Sequence, residues 1–340
     1  MQGRDLRFEI LRVCAILFVT AHHVLLFGAD LCGYLSPFCP DVSGVAGVAL
    51  NSLFVTGVSL FVMISGWFGI RRVWQPCLRL ILECAAFGAV ALLLSVWLHG
   101  LFPIPHTDDT LSLARLWQSM KFTNWWFVVH YLLLVLAAPL LERALHGADR
   151  RAVERILLCL FVFDFLFGFA WGYVTPNGYN VVHFVMLYVL ARYMRLFPES
   201  AANRFVRRWA WTIVGACVLL MTAWFLFDKA SWHPGHNPMT WNYNCPLVVL
   251  EAMALFALFQ KAGGRAKPLA LLAPYVLGVY LLQSSPLLIY FRNALGGRLF
   301  SSLGYVGFVC TVLLLFVICG ALSMIIMKVL RKMECALSLR

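Results

Sequence analysis

Long apolar runs, each followed by a short polar segment, recur along the whole chain. Ten of these runs are long enough to cross a hydrocarbon core of about 30 Å as helices. The pattern therefore predicts an all-α integral membrane protein, a polytopic bundle of about ten transmembrane helices forming a single domain over residues 1–340. The approximate bounds of the ten spans are 10–28, 46–70, 78–101, 125–142, 155–174, 179–196, 209–228, 245–261, 269–291 and 303–329.

Composition and charge agree with a membrane location. Of the 340 residues, 62% are hydrophobic and 12% are charged, about half the charged fraction of a soluble domain. The net charge of +12 is uneven, because 22 of the 27 Lys and Arg residues fall on one side of the predicted bundle. This bias assigns that side, with both termini, to the cytoplasm, so we expect no nucleic-acid partner. The other side holds Arg115, Lys121, Lys229, Arg292 and Arg298.

The 11 cysteines show no metal-binding spacing. Without a CxxC pair or another zinc pattern, we expect no metal site. Cys32 and Cys39 fall in the first loop predicted to lie outside the cell, where a disulfide between them is an open alternative.

The first span carries ionisable residues in a regular arrangement. Arg12 and His23 are 11 residues apart, which is about 20° more than three helical turns and about 16 Å along the axis. They therefore share one helix face, with Arg12 at the membrane boundary and His23 deep inside. Such a face favours an anionic ligand at the rim and chemistry within. Two alternatives stay open: Arg12 as a boundary anchor, and His23 as a packing residue.

A basic cluster follows the second span. Ser65-Gly66 is a small-residue pair that allows close helix approach, and it is followed by Arg71, Arg72 and Arg79. Because arginine binds phosphate through a planar fork, the cluster suits a phosphorylated ligand on the same side as Arg12. The alternative interpretation is the ordinary charge bias of cytoplasmic loops.

Other polar positions are less informative. The segment 229–244 is rich in Trp, Tyr, Asn and His, which suits sugar binding or an interfacial aromatic belt. Asp164 lies inside a span and is expected to pair, to protonate or to face a cavity. Glu83 is expected to pair with Arg79 at the i,i+4 spacing, and His22 is assigned to packing.

Several motifs together resemble the membrane-bound acyltransferase 3 family. The first-helix motif of that family is an Arg, ten intervening residues and a His after an acidic position, matched here by Glu9, Arg12 and His23. The Phe-x-x-x-Ser-Gly run ending at Gly66 resembles the second and third family helices. Later matches are Trp125-Trp126-Phe127 with Ala138-Pro139-Leu140-Leu141, Tyr243-Asn244-Cys245-Pro246 with Leu255-Phe256, and Gly278-Val279-Tyr280-Leu281-Leu282.

The resemblance implies transfer of an acyl group, most commonly acetyl, from acyl-CoA to a hydroxyl of a bacterial surface polysaccharide or its lipid-linked precursor in the inner membrane. It implies that His23, with Arg12 and Glu9, carries the chemistry, as a general base or a transient acyl carrier. The CoA phosphates would meet Arg12, Arg71, Arg72 and Arg79. Substrate contacts are assigned to Ser65, Trp125, Trp241 and Asn244, and membrane lipid is a further partner.

One position departs from the family pattern. Family members often have a His after the Gly-Val-Tyr-Leu run, whereas this chain has Gln283. An amide forms hydrogen bonds but takes up no proton at neutral pH, so a second-histidine role is in doubt here.

Two other classes of function compete with an enzyme. A transporter of a glycan lipid or another amphiphile would also have many spans and buried charges, although no pair of broken repeat helices is visible. A non-catalytic scaffold leaves the shared face of Arg12 and His23 unexplained.

Overall fold

The structure, a computed structural model, describes residues 5–31, 42–101, 112–172, 176–229, 239–261 and 267–336. Within these ranges the chain is helical and contains no strand. The helices are α1 (Leu6–His23), α2 (Val42–Phe54), α3 (Gly57–Phe68), α4 (Trp74–Leu101), α5 (Leu113–Ser119), α6 (Trp126–Leu145), α7 (Arg150–Phe163), α8 (Val181–Leu196), α9 (Ala201–Lys229), α10 (Pro246–Lys261), α11 (Lys267–Ala270), α12 (Val276–Gln283), α13 (Ile289–Leu303) and α14 (Tyr305–Ala336).

Helix α1 lies at the centre of the bundle. It begins where the Asp5 side chain accepts a hydrogen bond from the backbone N–H of Arg7 at 3.1 Å, a typical N-cap. Its apolar side chains are buried on more than one face, and α1 packs against α2, α3, α10, α12 and α14. A helix that is apolar all round is expected inside a bundle rather than on its surface.

Two helices continue as π-helical turns. After His23, α1 passes into a π turn over Val24–Gly28, and α7 passes into another over Asp164–Ala170. Such wide turns are frequently found at functional sites. The first of them directly follows the histidine that the sequence singled out.

Seven stretches are long and apolar enough to cross a membrane. Three predicted spans are helical without meeting that standard: α7 begins in charged residues, α8 has 16 residues and α12 has eight. A multi-pass, all-helical membrane protein is therefore confirmed, while the count of ten and the sides of the termini stay predictions. The seven stretches are Leu6–Gly28, Ser43–Phe68, Trp74–Leu101, Trp126–Leu145, Ala201–Asp228, Met239–Lys261 and Tyr305–Met333.

The ninth predicted span, 269–291, is not one helix. Within this range α12 ends at Gln283, and α13 begins only at Ile289. Between them lies Pro286, which has no N–H to continue a helix, and Ser285 Oγ accepts a hydrogen bond from Leu287 N at 3.4 Å. As a consequence Arg292 and Arg298, which we expected in a loop, lie on a helix.

Glycines join α13 to the end of the first helix. A Cβ built on Gly28 would stand 3.2 Å from Gly296 Cα, and one built on Gly296 would stand 3.3 Å from Gly28 Cα. Only residues without a side chain allow two backbones to pass this closely. The contact places the middle of α13 beside the π turn that follows α1.

The predicted pair of Arg79 and Glu83 is present, and of the three alternatives for Asp164 the structure shows pairing. Asp164 Oδ2 lies 2.8 Å from His183 Nδ1, with both side chains buried, so a hydrogen bond connects the π turn after α7 to α8. Arg79 Nε donates to Glu83 Oε1 at 2.9 Å. Cys32 and Cys39, together with residues 230–238 of the aromatic segment, lie outside the described residues.

Candidate active site

Two residues of the first-helix motif, Glu9 and Arg12, border a cavity of about 360 Å³, whereas His23 is not among its lining residues. We call it the Arg12 cavity. Glu9 and Arg12 lie in its wall and form an ion pair with each other. Glu9 is buried, whereas about a third of the Arg12 side chain is exposed. At the charged end of this cavity, the buried carboxylate of Glu9 therefore fixes the position of the Arg12 guanidinium.

Most of the remaining wall is apolar, but three of its residues, Ser65, Tyr131 and Tyr280, carry hydroxyl groups. Ser65 Oγ lies 2.9 Å from Tyr131 OH, and both residues line the cavity. On α1 the lining extends from Glu9 to Val19, a rise of about 15 Å. A narrow, largely apolar space with a cation at one end suits an elongated molecule that carries an anionic end.

His23 lies one helical turn beyond Val19, about 6 Å further along α1. Its ring is centred 5.7 Å from the ring of His22 and 6.2 Å from that of Phe27. Its Nδ1 atom is buried, and no hydrogen-bond partner for it occurs among the described residues. A buried nitrogen without a partner is uncommon in proteins, and a chemical role for His23 stays a prediction.

His22 differs from its neighbour. Its Nδ1 lies 2.8 Å from Asn51 Oδ1, in a buried contact between α1 and α2. This pairing agrees with the packing role expected for His22. Of the two histidines, His23 is the one whose Nδ1 has no hydrogen-bond partner among the described residues.

Arg292 is the residue at this site that sequence reasoning missed. Arg292 is 6% exposed, and its Cζ atom lies 5.8 Å from the ring centre of Phe27, whose ring is in turn centred 6.2 Å from that of His23. Nη1 donates to the Gln283 carbonyl oxygen at 3.0 Å, and Nη2 donates to Asn293 Oδ1 at 2.9 Å. A fixed cation beside an imidazole is a means of stabilising negative charge that develops in a transition state.

A signal for Arg292 was present in the sequence. Gly296-Gly297 follows the arginine by about one helical turn, and a small-residue pair at that spacing indicates close helix packing. Arg292 was instead assigned to a loop, because it is a positively charged residue at the end of an apolar run.

The basic cluster begins after α3 and extends into α4. Arg71 and Arg72 are exposed in the segment between α3 and α4, and Arg72 Nη1 donates to Gln75 Oε1 at 3.3 Å. Arg79 directly precedes Leu80, which lines the cavity. Phosphate binding by these arginines stays a prediction.

Of the four substrate contacts assigned from the sequence, Ser65 lines the Arg12 cavity, and the other three do not. Trp125 Nε1 donates to the Leu281 carbonyl oxygen at 3.0 Å. Trp241 Nε1 donates to Ser52 Oγ at 3.1 Å, and Asn244 Nδ2 donates to the Asp164 carbonyl oxygen at 3.4 Å. Each of these three is buried with a partner inside the protein, and their contact with substrate stays a prediction.

The described residues contain no group of three or more His, Cys, Asp or Glu side chains arranged to hold a metal ion. In comparisons with known proteins, no curated protein and no solved structure matches the chain. The comparison with protein families does find a match. The family described as an acyltransferase domain aligns with residues 5–328, nearly the whole chain, and includes every helix that borders the Arg12 cavity. The chain therefore belongs to this family of membrane acyltransferases.

Proposed function

We propose that this protein moves an acyl group, most often acetyl, from cytoplasmic acyl-CoA to a hydroxyl of a bacterial surface polysaccharide or its lipid-linked precursor. One observation carries the proposal. Helix α1 presents Arg12 to a deep, mostly apolar cavity and, on the same face, an imidazole with an unpartnered Nδ1. Family membership supports the acyltransferase chemistry.

The donor occupies the Arg12 cavity. Its phosphates bind at Arg12 and at the exposed Arg71 and Arg72, where arginine forks match phosphate oxygens. Its flexible arm follows the apolar wall past Ser65 and Tyr131 towards Val19. The thioester then lies within one helical turn of His23. Glu9 holds Arg12 in place, and the phosphates compete with it for the guanidinium.

His23 transfers the proton that the reaction requires. In direct transfer, the imidazole takes the proton of the acceptor hydroxyl as its oxygen attacks the thioester carbonyl. The C–S bond breaks, the proton passes to the sulfur, and CoA leaves as a thiol. In the alternative route, an imidazole nitrogen attacks the thioester carbonyl first, the C–S bond breaks, and CoA leaves as a thiolate. The alcohol oxygen then takes the acyl group from that nitrogen, and the proton of the alcohol neutralises the thiolate. In both routes Arg292 stabilises the oxyanion that forms on the carbonyl oxygen.

A labelled-donor assay tests the proposal. Membranes containing the protein receive acetyl-CoA labelled in the acetyl group and a crude glycan fraction. We expect base-labile label in the glycan, and none in membranes that lack the protein. Movement of glycan lipid across the membrane without acyl-CoA and without esterification would instead favour a transporter.

A further inference from the structure

A second cavity lies between α4, α12, α13 and α14, with a volume of about 340 Å³. We call it the Arg292 cavity. Its size falls within the range of ligand pockets, and its wall is almost wholly apolar. Leu94, Leu282, Leu295 and Leu315 are among the residues that form it.

Two buried polar side chains interrupt this apolar wall. Gln283 is 2% exposed, and neither Oε1 nor Nε2 has a hydrogen-bond partner among the described residues. Arg292 is buried as well, and its hydrogen bonds within the described chain go to neutral oxygens of Gln283 and Asn293. A buried cation without a carboxylate partner and an amide without any partner are both costly. An anionic group between them would satisfy both.

The outer rim of the Arg292 cavity faces the surroundings of the bundle. Trp97 of α4 is 62% exposed and Ile318 of α14 is 48% exposed, and both line the cavity. They lie within two of the apolar stretches that are long enough to cross a membrane, Trp74–Leu101 and Tyr305–Met333. An apolar chain therefore reaches the cavity sideways from the bilayer without crossing water.

We propose that the Arg292 cavity binds the acyl acceptor as an acidic amphiphile, with its apolar chain between Trp97 and Ile318 and its anionic group against Arg292 and Gln283. This inference rests on the proposed function, because it assigns the second substrate of the same reaction. Arg292 lines this cavity and lies 5.8 Å from the ring centre of Phe27, whose ring is centred 6.2 Å from that of His23. An acidic group held there keeps a neighbouring hydroxyl near the imidazole.

Neighbouring residues of one segment line the two cavities. The Arg12 cavity is lined by residues from Ala273 to Tyr280, and the Arg292 cavity by Leu282 and Gln283. Donor and acceptor would then approach His23 from opposite ends of α12. This arrangement lets each substrate bind without displacing the other.

Binding of farnesyl phosphate to the purified full-length protein in uncharged detergent tests the inference, with native mass spectrometry as the readout. Farnesol serves as the uncharged match. We expect farnesyl phosphate to bind at least about tenfold more tightly, a difference of about 1.4 kcal/mol. Arg292→Gln removes this preference, and Arg292→Lys retains part of it. Equal binding of both probes to the unaltered protein would overturn the proposal.

A variant at the rim covers the case in which Arg292→Gln fails to fold. Ile318→Trp narrows the opening and is expected to weaken farnesyl phosphate binding at least about fivefold, by steric exclusion. Leu314→Trp is the matched control, because Leu314 is also exposed on α14 and does not line the cavity. Equal binding in both variants would place the probe elsewhere and contradict the proposal.

Two further measurements separate this inference from the proposed function. Ile318→Trp should lower kcat/KM for the acceptor and leave the KM for acetyl-CoA unchanged. If the unaltered protein transfers no acetyl group, the proposed function fails, whereas probe binding is still measured directly. Displacement of farnesyl phosphate by an equal concentration of phosphatidylglycerol would identify the occupant as bulk lipid and overturn the acceptor assignment.

Discussion

Gly28 and Gly296 bring two distant parts of the chain into backbone contact, since a Cβ on either glycine would stand within about 3.3 Å of the other glycine's Cα. Gly28 ends the π turn that begins right after His23, and Gly296 follows Arg292 by one helical turn. The contact therefore sets the distance between the imidazole and the buried guanidinium. Replacing either glycine should affect stability and catalysis together.

Gly296→Leu is expected to destabilise the protein by about 1–3 kcal/mol, because the new side chain overpacks a closed interface. A lower apparent Tm in detergent checks this, and acetyl transfer by the folded fraction should fall as well. Gly215→Leu on α9 is the control, since a Cβ there meets nothing within 4 Å. Equal Tm values for the two variants would show that the glycine contact is unimportant.

His23→Ala should lower kcat for acetyl transfer by about 10²–10⁴-fold, the usual contribution of a positioned acid or base. The quantity of protein in the membrane should not change. His130→Ala is the matched control, because His130 Nδ1 contacts the Trp126 carbonyl of its own helix at 2.7 Å and has no part in the proposed chemistry. Retained transfer in His23→Ala would remove this residue from the mechanism.

The double variant Arg71→Ala/Arg72→Ala should raise the KM for acyl-CoA and leave kcat nearly unchanged, because phosphate contacts far from the thioester contribute uniform binding. Titration of the donor at saturating acceptor measures this. Arg151→Ala/Arg155→Ala removes the same charge from another exposed segment on the same predicted side. An equal effect in the two double variants would indicate general electrostatic attraction rather than a phosphate site.

The buried pair of Asp164 and His183 is expected to stabilise the fold and to leave the chemistry alone. Asp164→Ala should cost about 1–3 kcal/mol, because it leaves the buried His183 Nδ1 without its partner. Asp164→Asn keeps an oxygen that can accept a hydrogen bond and should cost less. A double-mutant cycle with His183→Ala, read from apparent Tm values, should show coupling. Additive effects would mean that the pair contributes nothing as a unit.

The sequence was sufficient for those features that depend on local pattern. Apolar runs predicted an all-helical membrane bundle, and helical spacing placed Arg12 and His23 on one face of α1. The i,i+4 pair of Arg79 and Glu83 follows from the same periodicity. Each of these rests on residues close together in the chain.

Features that depend on distant contacts were not predictable in this way. Arg292 was expected in a loop because a cation at the end of an apolar run usually marks a membrane boundary. Its burial depends on the packing of α13 against the π turn, about 270 residues earlier in the chain. Likewise, Trp241 and Asn244 were assigned to the substrate from their residue types. The structure adds that both side chains are buried and hydrogen-bonded inside the protein, and this depends on tertiary contacts.

The π turn Val24–Gly28 ends the first helix, and its last residues are out of phase with the α-helical register before it. Since such a turn holds one residue more than an α-helical turn, everything after it is rotated by about 100°. Deleting one residue from Val24–Gly28 would undo that rotation and swing Gly28 away from α13, while the Glu9–Arg12 end kept its orientation. In the proposed mechanism, the extra residue of this turn aligns the donor and acceptor cavities with His23.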